Sequence, residues 1–460
     1  INMHLADAVL SGGVRRSATI CLFSPDDVEM TTAKLRKNFD VKAGVNPQRA
    51  RSNNSAVLIR NDVERGTYDK IFQSMLDLGD PGFFFAENPE HGMNPCGEIG
   101  LYPVIDVDST NIDELQKMIT EFEGLHGPFI YNGVPLDHLE HGDRIYGWQF
   151  CNLTTINGAK IQTREKFFSA CQAAAVIGTL QADYTNVPYC GPFTQFINER
   201  EALLGVSISG IMDSPKILLD PHILEEGARY VRETNSLVAE QIGIRPAART
   251  TCVKPDGTCV LAFGGVASGI HPHPARRFFR RIQANRTETP LMFFKAFNPK
   301  MVEPSIYNPD VDDVICFPIE APEGAITLKD LSGIQFLDCV NLVQRHWVIP
   351  GTNHEEVAPG LRHNVSNTVS FTREEKQQVQ DWIWNHRAEL TGITLLMDVS
   401  AARFPQAPRE PVETDEQIAK WNALSCIPVD FTQMVEVEDQ TALKDVVACA
   451  GGFCDLSTHI

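Results

Sequence analysis

The chain has 460 residues, of which 43% are hydrophobic and 22% charged, as is ordinary for a folded globular protein. Its formal net charge of −19 argues against broad binding to a nucleic-acid backbone, which needs a basic face. No apolar run approaches the ~20 residues that a membrane helix needs, and the start of the chain lacks a signal-peptide pattern. We therefore expect a cytoplasmic protein with neither a nucleic acid nor a membrane as partner.

Helix and strand signals alternate along the chain. Residues 24–39 open with Ser-Pro-Asp-Asp, which is typical of a helix N-terminus, and residues 204–211 form a Gly-bounded β-branched run. The predicted helices cover 24–39, 67–78, 163–181 and 225–242, and the predicted strands cover 18–23, 55–59 and 204–211. This alternation favours an α/β protein with a largely parallel sheet.

The two ends of the chain differ from its middle. Residues 2–10 are typical of the end of a helix and run directly into Gly12 and Gly13, so we expect the chain to begin inside a domain. From Asp430 onwards the sequence becomes acidic and Gly-containing, a composition typical of a mobile tail.

A candidate for chemistry is the run Met93-Asn-Pro-Cys96-Gly-Glu98-Ile. Pro and Gly on either side of the cysteine disfavour regular structure, so the thiol is expected on a tight loop. An amide, a thiol and a carboxylate at alternate positions of such a loop can converge on one small molecule. The alternative is a plain turn with a buried cysteine.

At this run the sequence resembles the ribonucleotide reductases, in which an Asn-x-Cys-x-Glu loop is the finger at the centre of a barrel. Further segments match the family in the same order, and the resemblance covers nearly the whole chain. These segments are 12–18, 52–55, 151–153, 204–213, 250–258, 268–272, 363–366, 404–408 and the terminal cysteine pair.

The resemblance implies an α/β fold, a ten-stranded α/β barrel of the ribonucleotide reductase type with a central finger loop, whose first strands are missing from this chain. It divides the chain into a partial catalytic barrel, 1–429, and a mobile redox-active tail, 430–460. An insertion of about 104–146 interrupts the barrel, because Cys96 and Cys151 lie much closer together in most relatives. Alternative roles for the insertion are surface decoration, capping of the cofactor, or docking of the missing N-terminal part.

The family's roles are carried over by motif. Cys96 would form a thiyl radical and take the 3′ hydrogen of a ribonucleotide, Glu98 would accept the 3′-hydroxyl proton, and Asn94 would hold the substrate hydroxyls. Cys151 would be one of two cysteines that oxidise to a disulfide. Its partner thiol is expected outside this chain, with Cys21 or Cys252 as alternatives.

Two segments would bind substrate. One resembles the family's second specificity loop, and the other is a Pro-x-Gly-Thr turn whose backbone amides would hold phosphates. The residues concerned are Ser11, Gly12, Gly13, Pro255, Gly257 and Thr258. Asp256 departs from the serine of many relatives, and its carboxylate would repel a phosphate. A plain type II turn is the alternative for the second segment.

Cys449 and Cys454 match the tail pair that re-reduces the active-site disulfide by thiol–disulfide exchange. The rival interpretation is half of a zinc site, but no second Cys/His pair stands nearby in the sequence, so no metal site is predicted. His271 and His273 are left unassigned. The resemblance implies a thioredoxin-like reductant for the tail.

The radical source is inferred by comparison of the family's classes. The stretch comparable to the tyrosine pair of the oxygen-dependent relatives, 391–398, holds no tyrosine, and the sequence lacks a glycyl-radical motif. The remaining class uses adenosylcobalamin, and segments 254–258 and 404–408 also look most like it. The resemblance thus implies reduction of ribonucleotides, triphosphates before diphosphates, with a deoxynucleotide or ATP as effector and a separate N-terminal polypeptide as partner. The alternatives are a non-catalytic remnant that binds nucleotide or partner, and an incomplete sequence of a longer enzyme.

Overall fold

A computed structural model describes residue 3 and residues 18–40, 43–136, 138–257, 259–354, 356–397 and 405–435. The described strands are β1 (Ile20–Phe23), β2 (Asn53–Ile59), β3 (Gly82–Ala86), β4 (Gly92–Met93), β5 (Gly100–Leu101), β6 (Val104–Asp106), β7 (Ile130–Tyr131), β8 (Val134–Pro135), β9 (Arg144–Tyr146), β10 (Asn152–Asn157), β11 (Leu204–Ser209), β12 (Arg277–Asn285), β13 (Val302–Pro304), β14 (Asp312–Glu320), β15 (Val369–Phe371), β16 (Gly392–Ile393), β17 (Leu395–Met397) and β18 (Arg409–Pro411).

The described α-helices are α1 (Val28–Thr31), α2 (Arg65–Leu78), α3 (Ile112–His126), α4 (Arg164–Ala182), α5 (Pro192–Glu201), α6 (Pro215–Leu218), α7 (Pro221–Ile242), α8 (Cys259–Ala262), α9 (Thr289–Phe297), α10 (Gly333–Val343), α11 (Lys376–His386) and α12 (Asp415–Ala423). None of the helices in these ranges is long and apolar enough to cross a lipid bilayer.

Parallel strands joined by helices form the first half of the fold. Strands β1, β2 and β3 pair in parallel, and α2 connects β2 to β3 across one face of the sheet. Strand β16 joins the far edge of β3 in antiparallel orientation. Every residue of β3 is buried, as expected for a central strand covered on both faces.

The second half repeats the same plan. Strands β10 and β11 pair in parallel and are connected by α4, and α7 leads from β11 to Thr251, which bridges to Val206 in parallel. Val253 in turn bridges to Val365, and β15 pairs in parallel with β17. The α/β character with parallel strands is therefore present.

The predicted ten-stranded barrel does not appear as one closed sheet. In the described ranges the strands form a four-stranded sheet and several two-stranded sheets, linked by single bridges. Strand β1 pairs there only with β2, and β10 pairs only with β11. One edge of β1 and one edge of β10 thus have no described partner.

Most predicted elements near the core agree with the structure. The strand predicted at 55–59 is part of β2, and those at 18–23 and 204–211 contain β1 and β11. The helices predicted at 67–78, 163–181 and 225–242 match α2, α4 and α7. One main core cluster includes Tyr68, Phe83 and Trp347 and so joins helices and sheets of both halves.

The prediction of one helix over residues 24–39 was wrong in length. Asp27 caps α1 by accepting a hydrogen bond from the Met30 amide, but the α-helix ends at Thr31. The carbonyls of Thr32 and Ala33 accept hydrogen bonds from the side chains of Asn38 and Arg49. Side-chain donors of this kind compete with the backbone bonds that would continue a helix.

The segment 104–146 folds around a cluster of its own. Strands β6 and β9 pair in antiparallel orientation and bring its two ends together. Between them lie α3 and the β7–β8 hairpin, whose Asn132 and Gly133 both have positive φ, as in a type I′ turn. Leu115, Ile119 and Phe129 pack there against Phe193 and Ile197 of α5.

An antiparallel sheet, in the order β13-β14-β12-β18, follows the second half and was not predicted from the sequence. Arg281 on β12 is buried and forms ion pairs with Glu303 and Glu410. A buried arginine in the middle of a strand hides the alternation of apolar and polar residues by which such strands are recognised.

Candidate active site

Asn94, Cys96 and Glu98 lie on the loop of the short β4–β5 hairpin, which we call the finger loop (residues 94–99). The Asn94 side chain closes the loop, since its Oδ1 accepts hydrogen bonds from the amides of Glu98 (3.0 Å) and Ile99 (2.9 Å). Gly97 has φ of +71°, a conformation that glycine adopts at little cost. The Cys96 residue is exposed at the tip of this turn.

Glu98 is 2% exposed, and its Oε2 has no hydrogen-bond partner among the described residues. Burial raises the pKa of the Glu98 carboxyl above its ordinary value, against the opposing effect of a hydrogen bond from the Asn94 side chain. A buried polar atom without a partner is costly in a folded protein. The carboxyl is therefore suited to receive a hydroxyl group of a bound molecule.

Cys151 directly precedes β10 and packs with Leu153 against the cluster that contains Ile99 of the finger loop. Its pKa is raised to about 12, first by burial and then by the negative charges of Glu98 and Cys96. The thiol is therefore protonated at neutral pH. The structure thus brings Asn94, Cys96, Glu98 and Cys151 into one neighbourhood.

Cys252 lies in the same cluster but on the other side of β11. Its amide donates to the Val206 carbonyl of β11, whereas β10 pairs with the opposite edge of β11. Two inter-strand spacings separate the outer strands by roughly 10 Å. A disulfide requires Cα atoms within about 7 Å of each other, so Cys252 is not a partner for Cys151 without backbone movement.

The turn that contains Pro255 and Gly257 lies close to the finger loop, because Ser366 donates its amide to the Val253 carbonyl and its hydroxyl to the Cys96 carbonyl. Asp256 has a positive φ of 45° and a buried side chain. Its carboxylate accepts a hydrogen bond from Ser209 and lies 3.5 Å from Lys254 Nζ. The negative charge expected to repel a phosphate is therefore engaged by neighbours within the protein.

The remaining predicted site residues lie outside the described residues. They are Ser11, Gly12, Gly13, Thr258, Cys449 and Cys454, and their placement remains a prediction. The two unassigned histidines have structural partners. His271 Nδ1 is 3.1 Å from the Ser268 carbonyl and its Nε2 accepts from the Thr368 amide, while His273 lies 2.9 Å from the buried Asp213 carboxylate.

Two cavities of about 410 and 330 Å³ lie beside the insertion. The first is lined by aromatic residues that include Tyr131, Trp148 and Tyr189, and the second includes Arg200 and Arg245. Neither is lined by residues of the finger loop. Cys96 is instead exposed among the described residues.

Sequence reasoning gave no role to several residues that shape the site. Ser209 holds Asp256, and the Thr155 hydroxyl lies 3.1 Å from the Ser209 hydroxyl. Segment 363–366 contacts the finger loop through its side chains. In the sequence this segment could be recognised only as a motif match. Its side chains bond to backbone atoms of residues far away in the sequence, and such contacts leave no local sequence pattern.

No protein-family model matches the chain. A protein of Levilactobacillus brevis named adenosylcobalamin-dependent ribonucleoside-triphosphate reductase is 24% identical over 98% of this chain and 58% of its own length. The protein of the same name from Lactobacillus leichmannii is 22% identical with the same coverage, and that of Euglena gracilis is 28% identical over 42% of this chain and 25% of its own. The chain thus spans 58% of the length of the first of these relatives.

Among solved structures, the crystal structure of a B12-dependent, class II ribonucleotide reductase matches with a TM-score of 0.62 and 18% identity. The match covers 88% of this chain and 53% of that one, and it shows a shared fold. Sequence and fold agree with the resemblance of the motifs: the chain is similar in sequence to the adenosylcobalamin-dependent ribonucleoside-triphosphate reductases and in fold to a class II ribonucleotide reductase.

Proposed function

We propose that the chain carries the catalytic loop of an adenosylcobalamin-dependent ribonucleotide reductase, which converts ribonucleotides to 2′-deoxyribonucleotides. The supporting observation is the finger loop, on which an exposed thiol at Cys96 stands beside a buried carboxyl at Glu98 with an oxygen that has no described partner. Triphosphates are favoured over diphosphates as substrates, because the relatives are named for triphosphates.

The proposed reaction begins with a thiyl at Cys96 that takes the hydrogen atom from C3′ of the ribose. Glu98 accepts the 3′-hydroxyl proton while Asn94 hydrogen-bonds the hydroxyls. Cys151 and a second thiol supply two electrons and two protons and become a disulfide. One proton leaves with the 2′-hydroxyl as water, and the other, with the electrons of the thiols, forms the new C2′–H bond. Cys96 then returns its hydrogen to C3′, and Glu98 returns its proton to the 3′ oxygen.

The protonation of these groups supports their roles. A carboxyl whose pKa is raised by burial, as at Glu98, is a stronger base once ionised than an exposed one. Cys151, with a pKa of about 12, remains a thiol and so carries the proton that the reaction consumes. The Glu98 charge also contributes to the raised pKa of Cys151.

Adenosylcobalamin, when bound, would supply the radical that oxidises Cys96 by one electron. The residues present fit this source in one respect, because the exposed Cys96 can be reached by a bulky group from outside the protein. A route through tyrosines has no support, since β16 and β17 carry only apolar side chains such as Ile393, Leu395 and Met397 around Thr394.

Completion by a separate N-terminal polypeptide is part of the proposal. The edges of β1 and β10 that have no described partner can each pair with a further strand. Such a strand would lie beside Cys151 and could carry its partner thiol. The disulfide would then be reduced by Cys449 and Cys454 and, in turn, by a thioredoxin-like protein.

The test is deoxynucleotide formation from a ribonucleoside triphosphate, with adenosylcobalamin, a dithiol and the polypeptide encoded immediately upstream. Wild-type protein is expected to form product, and Asn94→Ala is expected to form much less. Absence of product from the completed wild-type enzyme, with triphosphates and diphosphates alike, would contradict the proposal.

A further inference from the structure

Segment 363–366, which we call the clamp segment, contacts three consecutive carbonyls of the finger loop. The Ser366 hydroxyl donates to the Cys96 carbonyl at 2.7 Å. The Asn364 side chain donates to the Gly97 carbonyl at 2.7 Å, and the Asn364 amide donates to the Glu98 carbonyl at 2.9 Å. The peptide planes on both sides of Gly97 are therefore fixed from outside the hairpin.

The clamp segment is itself held in place. Its members His363, Asn364 and Ser366 are all buried. His363 accepts a hydrogen bond from the Gly100 amide at 3.0 Å through Nδ1, and its Nε2 lies 3.0 Å from the Leu204 carbonyl of β11. This pattern requires the neutral ring with the proton on Nε2, and burial lowers the His363 pKa to about 3.

A second set of contacts ties the clamp segment to the core. Gln344, in the π-helical turn Gln344–Val348, donates to the His363 carbonyl and accepts from the Val365 amide. Val365 also bridges to Val253, which precedes the Pro255 turn. The clamp segment thus contacts the finger loop on one side and, on the other, Val253, which leads into the proposed phosphate-binding turn.

The finger loop gains from such support because its internal bonds, which include Gly97 N–H to the Asn94 carbonyl, close the turn but do not hold it against the rest of the protein. Gly97 has no Cβ to limit its conformation, and the hairpin has only two residues in each strand. The peptide between residues 96 and 97 is held by two bonds, from the Ser366 hydroxyl to the Cys96 carbonyl and from the Gly97 amide to the Asn94 carbonyl. Loss of the Ser366 bond would leave the ψ angle of Cys96 less restrained. A change in that angle would alter the position of the Cys96 sulfur relative to the Glu98 carboxyl.

We propose that Ser366 and Asn364 are positioning residues that hold the Cys96 sulfur and the Glu98 carboxyl in the geometry that hydrogen abstraction requires. The proposal rests on the proposed function for its catalytic part. Ser366 carries the sharper test, because its hydroxyl contacts the residue that bears the reacting sulfur, whereas Asn364 also bonds to Gly392.

The first experiment measures kcat and KM of the completed enzyme for Ser366→Ala, Ser366→Cys and Ser366→Thr. Misplacement of a reacting group by about 1 Å costs up to about 100-fold in rate. We expect kcat to fall about 10-fold to 100-fold for Ala and for Cys, which keeps the volume but donates weakly. KM should change less than about threefold, and Thr, which keeps the hydroxyl, should restore most of kcat. The matched control is Ser74→Ala on the exposed face of α2.

The second experiment measures hydrogen exchange of the amides of residues 94–100 and does not depend on turnover. Ser366→Ala should speed exchange there, while Ser74→Ala should not. Normal kcat in both Ser366→Ala and Ser366→Cys, or a Thr variant as slow as Ala, overturns the positioning role. If the wild-type enzyme itself forms no product, the proposed function is overturned and the catalytic role with it. Faster exchange in the Ala variant would in that case identify a structural clamp only.

Discussion

At the scale of single residues, neighbouring residues of one motif differ in exposure and in pKa because their surroundings differ. Cys96 is exposed, Glu98 two positions later is buried with a raised pKa, and Cys151 is a protonated thiol in the same neighbourhood. The sequence could predict these residue types and their shared loop, since Pro and Gly flank the thiol. It could not predict their burial, which is set by β10, β11 and the clamp segment.

Replacement of the thiol is the first prediction. Cys96→Ala should lower deoxynucleotide formation by the completed enzyme to background, because alanine cannot carry a thiyl. Cys426→Ala, at another exposed cysteine, should leave the rate unchanged. Product formation and the unfolding temperature are measured together, and full activity of folded Cys96→Ala would overturn the site assignment.

The Glu98 carboxyl should also affect stability. Its pKa is raised in the folded state, so the stability it contributes is present at low pH and lost as pH rises through the folded pKa. Glu98→Gln cannot ionise, and we expect it to unfold with a free energy higher by about 1 kcal/mol at pH 8. Near pH 4 the difference should shrink.

Denaturant unfolding at both pH values measures this effect, with the exposed Glu121→Gln on α3 as control. A Glu98→Gln variant that is less stable than wild type at pH 8 would show that the ionised carboxyl is compensated by partners. That outcome would contradict the interpretation of Glu98 as a buried group awaiting a ligand.

At the scale of elements, the sequence predicted best where periodicity was undisturbed. Helices α2, α4 and α7 have a cap, a C-terminal boundary or both that can be read from the sequence, and each was found near its predicted bounds. The predicted helix at 24–39 failed because side chains took carbonyls that a helix would use. The antiparallel sheet was missed because Arg281 and its two acidic partners lie inside it.

The segment 104–146 allows a test of whether its stability is independent of the finger loop. Leu115 on α3 is 0% exposed within the insertion's cluster, whereas Leu125 on the same helix is 81% exposed. Leu115→Ala should cost about 2–5 kcal/mol, and Leu125→Ala should cost little. Hydrogen exchange should rise in 104–146 for the first variant and stay unchanged in residues 94–100. Equal loss of protection in the finger loop would show that the insertion supports the site directly.

At the scale of the whole molecule, the parallel halves and the shared fold of a class II reductase were predictable from motif order. The predicted closed barrel is not found among the described contacts, in which β1 and β10 each pair along one edge only. The tail cysteines and the specificity loop fall outside the described residues, so their roles remain predictions.

The chain by itself should not produce deoxynucleotides, since among the described residues Cys252, on the far side of β11, is too distant to form a disulfide with Cys151. Addition of the upstream-encoded polypeptide should restore turnover and should protect the amides of β10 from exchange. Robust turnover by the isolated chain with adenosylcobalamin and a dithiol would refute the need for a partner.

The most direct test of the central claim is electron paramagnetic resonance of the completed enzyme, frozen during turnover. The account predicts a sulfur-centred radical signal that narrows when the cysteines carry deuterium at Cβ and that is absent from Cys96→Ala. The same signal in a folded Cys96→Ala variant would contradict the account, because the radical would then reside on another residue.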